Sequence, residues 1–120
     1  MNKTEENLRN FQICLDYIKK NKISEAEKLL LELKKDEEFK IDALVYLGVC
    51  KIKSNKKNTA INLLKQAIEI SINHEFANLN LGLIYFDNKD FQNSIKYLKK
   101  TFEVNSKNLV AIYHLGLTNL

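Results

Sequence analysis

The segment LGLIYFDNKDFQNSIKYLKKTFEVN, residues 81–105, places Gly82 inside an apolar run that is expected to be helical. A glycine in a helix interior costs about 1 kcal/mol relative to alanine, so its missing side chain must allow some favourable contact. A second small residue, Ser94, follows twelve positions later, and Leu98 comes four positions after it. This pattern predicts two helices whose backbones approach closely at their small residues.

The small residue at Gly82 recurs along the chain. The three glycines, Gly48, Gly82 and Gly116, are spaced 34 residues apart, and the small residue Cys14 lies 34 positions before the first of them. Other columns repeat in the same register: Ile13, Leu47, Leu81 and Leu115; Ala43, Ala77 and Ala111; Ala26, Ala60 and Ser94; Leu30, Leu64 and Leu98. A fixed period with small residues at two places predicts one pair of antiparallel helices per repeat.

These windows resemble tetratricopeptide repeats, in which helix A carries a large apolar residue before Gly or Ala, and helix B carries a small residue with a large apolar one four positions later. The resemblance covers residues 7–120 and implies an all-α fold: an α-solenoid of antiparallel helix pairs stacked in a right-handed superhelix. Residues 1–120 are expected to form a single array domain. Its repeats are 7–40, 41–74 and 75–108, with a partial repeat at 109–120.

The same register predicts the elements. Helices A are expected at 5–19, 40–53, 75–87 and 109–120, and helices B at 23–35, 57–70 and 91–104. The turns within the pairs, KNKIS, KSNKK and FDNKD, each contain an asparagine, which tolerates the left-handed backbone conformation. Ser24 and Glu27 have the spacing of a capping box at the start of the first helix B.

Composition supports the helical class and narrows the function. The 120 residues include no proline and are 45% hydrophobic, which favours helix. We find no signal peptide and no run long enough to span a membrane, so a cytoplasmic protein without membrane insertion is expected. Lysines are scattered and Arg9 is the single arginine, which argues against a nucleic-acid partner. Cys14 and Cys50 are expected to be reduced, buried thiols, with no metal site and no cofactor.

The resemblance also implies that helices A line a concave groove through four positions each. Their spacing of 3, 4 and 3 residues places them on one stripe of a helix, here called the helix-A stripe. It consists of Leu8, Phe11, Leu15 and Ile18; Asp42, Val45, Val49 and Ile52; Phe76, Leu79, Leu83 and Phe86; Val110, Tyr113, Leu117 and Leu120. All but Asp42 are apolar, so we expect the partner to be a protein or peptide with an apolar segment. The alternative is that part of the stripe is ordinary core, or is covered by segments beyond Leu120.

One ligand class of the family is disfavoured. Members that hold a partner's C-terminal carboxylate use lysine, arginine and asparagine from successive helices A. The matching positions here are Phe11, Leu15, Tyr46, Phe76 and Asn80. Only Asn80 offers a suitable polar group, so an apolar helix or an extended apolar peptide is the better prediction.

The sequence contains no recognisable catalytic constellation. His74 falls in a link and His114 on the last helix A, and neither has a nucleophile or acid placed by motif, so we expect surface or packing histidines and no enzyme activity. Residues 109–120 form a lone helix A without lysine or acid, as expected for a fragment of a longer array. Two alternatives stay open: the repeats are the N-terminal portion of a larger enzyme, such as a glycosyltransferase or kinase, or they form a homo-oligomer through residues 109–120.

Overall fold

The computed structural model describes residues 2–118, and these form seven α-helices and no strand. The helices are α1 (Lys3–Lys19), α2 (Ile23–Leu33), α3 (Lys40–Lys53), α4 (Lys57–Ile70), α5 (Glu75–Asp87), α6 (Phe91–Val104) and α7 (Leu109–Thr118). Within this range the predicted bounds differ only at the start of α1 and the end of α2. Asn119 and Leu120, which were expected to complete the last helix, lie outside the described residues.

The helices belong to two compact units, and the boundary between the units falls inside α4. In the unit up to Leu63, α1 packs on α2 and α2 packs on α3. In the unit from Leu64 onward, α5 packs on α6, α6 packs on α7, and α5 also contacts α7. Because the turns between paired helices are only a few residues long, neighbouring helices run antiparallel. The predicted fold class, an all-α helical-repeat fold of the solenoid type, is confirmed.

The repeated small and large residues form the cores of both units. The columns at the second helix of each pair are completely buried: Ala26, Ala60 and Ser94, and Leu30, Leu64 and Leu98. So is the alanine column of the first helix: Ala43, Ala77 and Ala111. The column before the small residue is less uniform, since Leu81 is fully buried whereas Ile13 is 39% exposed.

Gly82 lies where α5 and α6 are in closest contact. A Cβ atom placed on Gly82 would lie 2.6 Å from Cδ2 and 2.7 Å from Cγ of Leu98. The hydroxyl of Ser94 donates a hydrogen bond of 2.8 Å to the carbonyl oxygen of Gly82. The absent side chain therefore lets a leucine and a serine of α6 pack directly on the backbone of α5, which is the gain that offsets the poor helix propensity of glycine.

The turns within the three helix pairs share one conformation. Asn21, Asn55 and Lys89, again 34 residues apart, have φ angles of 61°, 59° and 61°. The prediction of a left-handed asparagine is thus confirmed for two turns and wrong for the third, where Asn88 has φ −81° and Lys89 takes the left-handed position. Each turn closes with a backbone bond typical of the Schellman motif: Lys22 N to Tyr17 O (2.7 Å), Lys56 N to Lys51 O (2.8 Å) and Asp90 N to Tyr85 O (2.9 Å).

The predicted capping box at Ser24 is absent. α2 begins at Ile23 with Lys22 as its N-cap, and no side chain caps it. The Schellman turn forces this start because its left-handed residue, Asn21, is followed directly by the N-cap residue Lys22. Glu27 instead forms an ion pair with Lys51, with 2.7 Å between its Oε2 atom and the Nζ atom of the lysine. This ion pair joins α2 to α3.

Asn78 is a buried polar residue of α5. Its side chain is 2% exposed. The amide nitrogen donates to the carbonyl oxygens of Ile72 at 3.1 Å and His74 at 2.8 Å. These bonds satisfy backbone groups in the link before α5, so the buried amide stabilises that link.

Cys14 and Cys50 are buried free thiols, as predicted. Burial raises the pKa of Cys14 to about 12 and that of Cys50 to about 11. Both therefore remain protonated at neutral pH, and the Sγ atom of Cys14 contacts the carbonyl oxygen of Ala26 at 3.6 Å. Cys14 thus serves as the small residue of its helix pair, in the place that Gly82 takes in the other unit.

Alanine substitutions at Gly82 and Gly116 should have different effects on stability, because only Gly82 is in close contact with another helix. Gly82→Ala is expected to lower the free energy of unfolding by about 1 to 3 kcal/mol, because the new methyl group would clash with the completely buried side chain of Leu98. Gly116→Ala is the matched control: no atom lies within 4 Å of its Cβ position, so this change should leave stability unaltered or raise it by up to about 1 kcal/mol. Urea unfolding followed by circular dichroism measures both. Equal effects at the two positions would contradict the packing described here.

The left-handed Lys89 should be a point of weakness. Lys89→Gly is expected to raise the free energy of unfolding by about 1 kcal/mol, because glycine adopts positive φ without the steric cost that a Cβ imposes. Asn88→Gly is the control, since its φ of −81° gives glycine no such advantage. Thermal unfolding of the two variants tests this prediction. A protein that is stabilised by Asn88→Gly but not by Lys89→Gly would contradict it.

Candidate interaction surface

In the first unit, the helix-A stripe is divided between surface and core. Leu8 is 49% exposed, and Leu15, Val49 and Ile52 are half-buried. Phe11 and Ile18 pack against the core of the unit. The ring of Phe11 lies edge-on to Tyr46 at 5.4 Å and is tilted against Phe39 at 6.3 Å. These two stripe residues therefore hold α1 in place as well as contributing to the surface.

Val45 does not lie on the surface where the stripe was predicted. Its side chain is 1% exposed, and its neighbour Leu44 is buried to the same extent. The physical reason is that α3 is buried on several sides, with Ala43, Leu47 and Cys50 also inside the protein. Val45 is therefore a core residue, and the prediction that it contacts a partner is corrected.

In the second unit, the helix-A stripes of α5 and α7 are on helices that contact each other. On α5, Phe76 is 39% exposed, and Leu79, Leu83 and Phe86 are half-buried. The α7 residues are more exposed: Val110 by 43%, Tyr113 by 64% and Leu117 by 40%. Because both helices use the same repeat positions, we call the two stripes together the candidate surface of this unit. Leu120 would extend it but lies outside the described residues.

Aromatic rings join α5 to α7 at one end of this surface. The ring of Phe86 lies edge-on to His114 at 4.8 Å and to Phe91 at 5.6 Å. His114 also contacts Tyr113 at 5.2 Å, and its Nδ1 atom is 2.8 Å from the carbonyl oxygen of Val110. His114 is thus a packing residue. Sequence reasoning did not place His114 and Phe91 at this surface, since neither occupies a stripe position.

A polar edge borders the other end of the surface. An open depression of about 300 Å³ is lined by His74, Glu75, Phe76, Leu79 and Asn108. The carboxylate of Glu75 accepts hydrogen bonds from the side-chain amides of Asn108 at 2.8 Å and Asn105 at 3.0 Å. These two bonds lower the pKa of Glu75, and they tie the start of α5 to the link before α7. The sequence signal that could have located this contact is the acid at the first position of a repeat, facing asparagines at the end of the same repeat.

The second unit offers no positive charge on its stripe helices. Neither α5 nor α7 contains a lysine or an arginine, and the acids of α5, Glu75 and Asp87, are at its two ends. The amide of Asn80 donates to the carbonyl oxygen of Phe76 at 2.8 Å and so bonds within its own helix. The surface between these helices is therefore apolar, with polar groups at its edge.

Within residues 2–118 we find no group of three or more histidine, cysteine or acidic side chains that could hold a metal ion. The helices described are also too short or too polar for any of them to cross a membrane.

Comparison with known proteins agrees with this architecture. Family models of the tetratricopeptide repeat match residues 42–70 and 77–108, together slightly more than half of the chain. Among solved structures, the first TPR of Spaghetti (RPAP3) bound to the HSP90 peptide SRMEEVD is 15% identical, with a TM-score of 0.85, over 96% of this chain and 91% of that one. MamA is 20% identical, with a TM-score of 0.81, over 97% of this chain and 68% of that one.

A tetratricopeptide repeat protein from Parabacteroides merdae is 16% identical, with a TM-score of 0.79, over 95% of this chain and 46% of that one. At such identities the likeness to solved structures shows the fold alone. The repeat matches and the 34-residue columns that form the cores together lead to one conclusion: the chain belongs to the tetratricopeptide repeat family.

Proposed function

We propose that this protein is an interaction scaffold that binds an apolar peptide or helix of a partner protein along the helix-A stripe. The observation that carries the proposal is the exposure of three large apolar side chains on one stripe of α7: Val110, Tyr113 and Leu117. Their spacing of three and four residues places them in a row along the helix, next to the stripe of α5. Contiguous apolar surface of this kind is typical of binding sites.

The partly buried stripe residues of α5 have a supporting role in this proposal. Leu79, Leu83 and Phe86 are half-buried, whereas the stripe residues of α7 are more exposed. A partner helix that lays an apolar face along α5 and α7 would bury both sets, as in the recognition of amphipathic helices by hydrophobic grooves. The polar edge at Glu75 and Asn108 would then fix the direction of the bound segment through hydrogen bonds.

The first unit has an apolar surface of its own, which we propose separately as a contact surface. Four stripe residues of this unit are accessible and lie outside its core. We include them among the contact residues: Leu8, Leu15, Val49 and Ile52. Phe11 and Ile18 are expected to contribute less to binding, because they also pack against the core of that unit. No contact is proposed for Val45.

The ligand of one structural neighbour supports a peptide as the class of partner. It does not support an acidic peptide as the partner of this protein. The TPR of Spaghetti is bound to SRMEEVD, a peptide with three acidic residues. An acidic peptide on α5 and α7 would meet no lysine or arginine from these helices, and its carboxylates would lose hydration without gaining an ion pair. An apolar segment is therefore the partner that these helices fit better.

The proposal can be tested with peptides selected from a random library displayed on phage. The selected sequences should carry apolar residues three and four positions apart, and their affinity is measured by fluorescence anisotropy. The double variant Tyr113→Glu/Leu117→Lys should weaken binding at least about tenfold, because it places charges in the apolar row. The two new charges are four residues apart in the favourable order, so α7 itself should stay helical.

Phe102→Glu is the matched control, since Phe102 on α6 is 41% exposed and lies outside the helix-A stripe. This variant should bind as the unaltered protein does. The peptide SRMEEVD serves as a second control and should bind at least about tenfold more weakly than the selected peptides. Preferred binding of SRMEEVD, or full affinity in the Tyr113/Leu117 double variant, would contradict the proposal.

A further inference from the structure

A pocket of about 200 Å³ lies among α4, α5, α6 and the link that joins α4 to α5. All of its lining residues belong to the second unit, and none of them is a residue of the helix-A stripe. It is therefore a different site from the candidate surface, and we call it the α4–α6 pocket. Its lining residues are Ile68, Ile72, Asn78, Lys96, Tyr97 and Lys100.

The α4–α6 pocket lies on the side of α6 that faces α4, well within the array. Three residues of α6, Lys96, Tyr97 and Lys100, share it with Ile68 of α4. The repeat places the equivalent of Ile68 on α6 at Phe102, which is 41% exposed. On an ideal helix, Phe102 lies on roughly the opposite side of α6 from those three residues. A further helix that packed beside α6 would therefore cover Phe102 and leave the pocket open.

The isoleucines of the pocket form an apolar wall that is held in place. Ile68 is half-buried, whereas Ile72 in the link is 64% exposed. The carbonyl oxygen of Ile72 accepts a hydrogen bond of 3.1 Å from the buried amide of Asn78, which fixes the link beside the pocket. A pocket of this volume is small for a drug-sized ligand, so a single apolar side chain is the group that it suits.

A pair of stacked tyrosines fixes the opposite wall. The ring of Tyr97 stacks on that of Tyr85, with 5.8 Å between the ring centres and 8° between the planes. The Nζ atom of Lys96 lies 5.1 Å from the centre of the Tyr97 ring, and that of Lys65 lies 5.8 Å from the centre of the Tyr85 ring. Because this wall is ordered before a ligand arrives, binding costs less conformational entropy.

Lysines give this part of the protein a positive charge. Lys96 and Lys100 are one turn apart on α6, and a hydrogen bond with Tyr85 raises the pKa of the nearby Lys65. Lys100 also forms an ion pair of 3.5 Å with Glu103, but no acid is among the residues that line the pocket in the described part of the chain. A ligand therefore gains from a negative charge next to its apolar group.

The same charge makes a second copy of this chain a poor occupant. The chain carries a formal net charge of +4 at pH 7, so two copies repel each other. An acidic protein is attracted to the lysines of the pocket instead. Charge complementarity thus favours a partner protein over another copy.

We propose that the α4–α6 pocket binds an acidic segment of a partner protein by taking up one leucine or phenylalanine side chain of that segment. The apolar side chain packs against Ile68, Ile72 and the ring of Tyr97. Carboxylates on the residues beside it pair with Lys96 and Lys100, and these exposed pairs contribute mainly to specificity and to the rate of association. The site is independent of the helix-A stripe, for which an apolar partner is proposed.

The test is a selection from a phage library of heptapeptides with leucine or phenylalanine fixed at the centre and random residues elsewhere. The target is the 120-residue protein with Tyr113→Glu/Leu117→Lys, which keeps peptides for the helix-A stripe out of the selected pool. Aspartate and glutamate should be enriched beside the central residue. Replacing that residue by alanine in the best peptide should weaken binding at least about tenfold, measured by fluorescence anisotropy.

Lys96→Glu/Lys100→Glu, made in the same target, is the decisive variant. It should bind the acidic peptide at least about tenfold more weakly, and selection on it should enrich lysine and arginine instead. Circular dichroism should show unaltered helix content. Lys3→Glu/Lys107→Glu is the matched control, because it changes the net charge equally at two exposed lysines that do not line the pocket. This control should bind the peptide as the target does.

Three results would overturn the proposal. The first is a pool without enriched acids, and the second is an equal loss of affinity in the two double variants, which would mean non-specific attraction. The third is binding to phosphatidylserine vesicles that Lys96→Glu/Lys100→Glu abolishes, without any enrichment of acidic peptides, which would assign the lysines to a lipid surface. Because the target has no intact apolar row on α7, failure of this test leaves the proposed function unaffected.

Discussion

Close contact between two helix backbones is the constraint on which the rest of this structure depends. At Gly82 the missing side chain allows Leu98 to pack on the backbone of α5, and Ser94 adds a hydrogen bond to the same carbonyl group. A residue with a Cβ atom could not occupy this position without moving a completely buried leucine. The first unit reaches a similar arrangement with Cys14, whose thiol stays protonated because burial raises its pKa.

The repeat of this contact accounts for how much of the fold could be predicted. Small residues every 34 positions determine which faces of neighbouring helices are in contact. The helices, their order and the completely buried columns could therefore be predicted from the sequence. Details that depend on local backbone geometry did not follow. Lys89 rather than Asn88 takes the left-handed position, because the place in the turn, and not the residue type, determines which residue adopts it. Ser24 fails to cap α2 because the preceding turn places the N-cap at Lys22, two residues earlier.

The candidate surface was predictable in outline, because stripe positions follow from helical spacing. Their exposure was not, since it depends on how many neighbours each helix has. Val45 is buried because α3 is covered on several sides, whereas the equivalent residue of α5, Leu79, is half-buried. Tyr113, at the same position of α7, is 64% exposed. The ring contacts of Phe86 with His114 and Phe91 involve residues outside the stripe and needed the structure.

The central claim is that Gly82 and Leu98 stabilise the fold through one shared contact. A double-mutant cycle of Gly82→Ala and Leu98→Ala, measured by urea unfolding, tests it most directly. Truncating Leu98 leaves space for the new methyl group, so the cost of Gly82→Ala should be at least about 1 kcal/mol smaller in the Leu98→Ala background than in the unaltered protein. Effects that add to within about 0.5 kcal/mol would mean that the two positions act independently, and they would contradict the account.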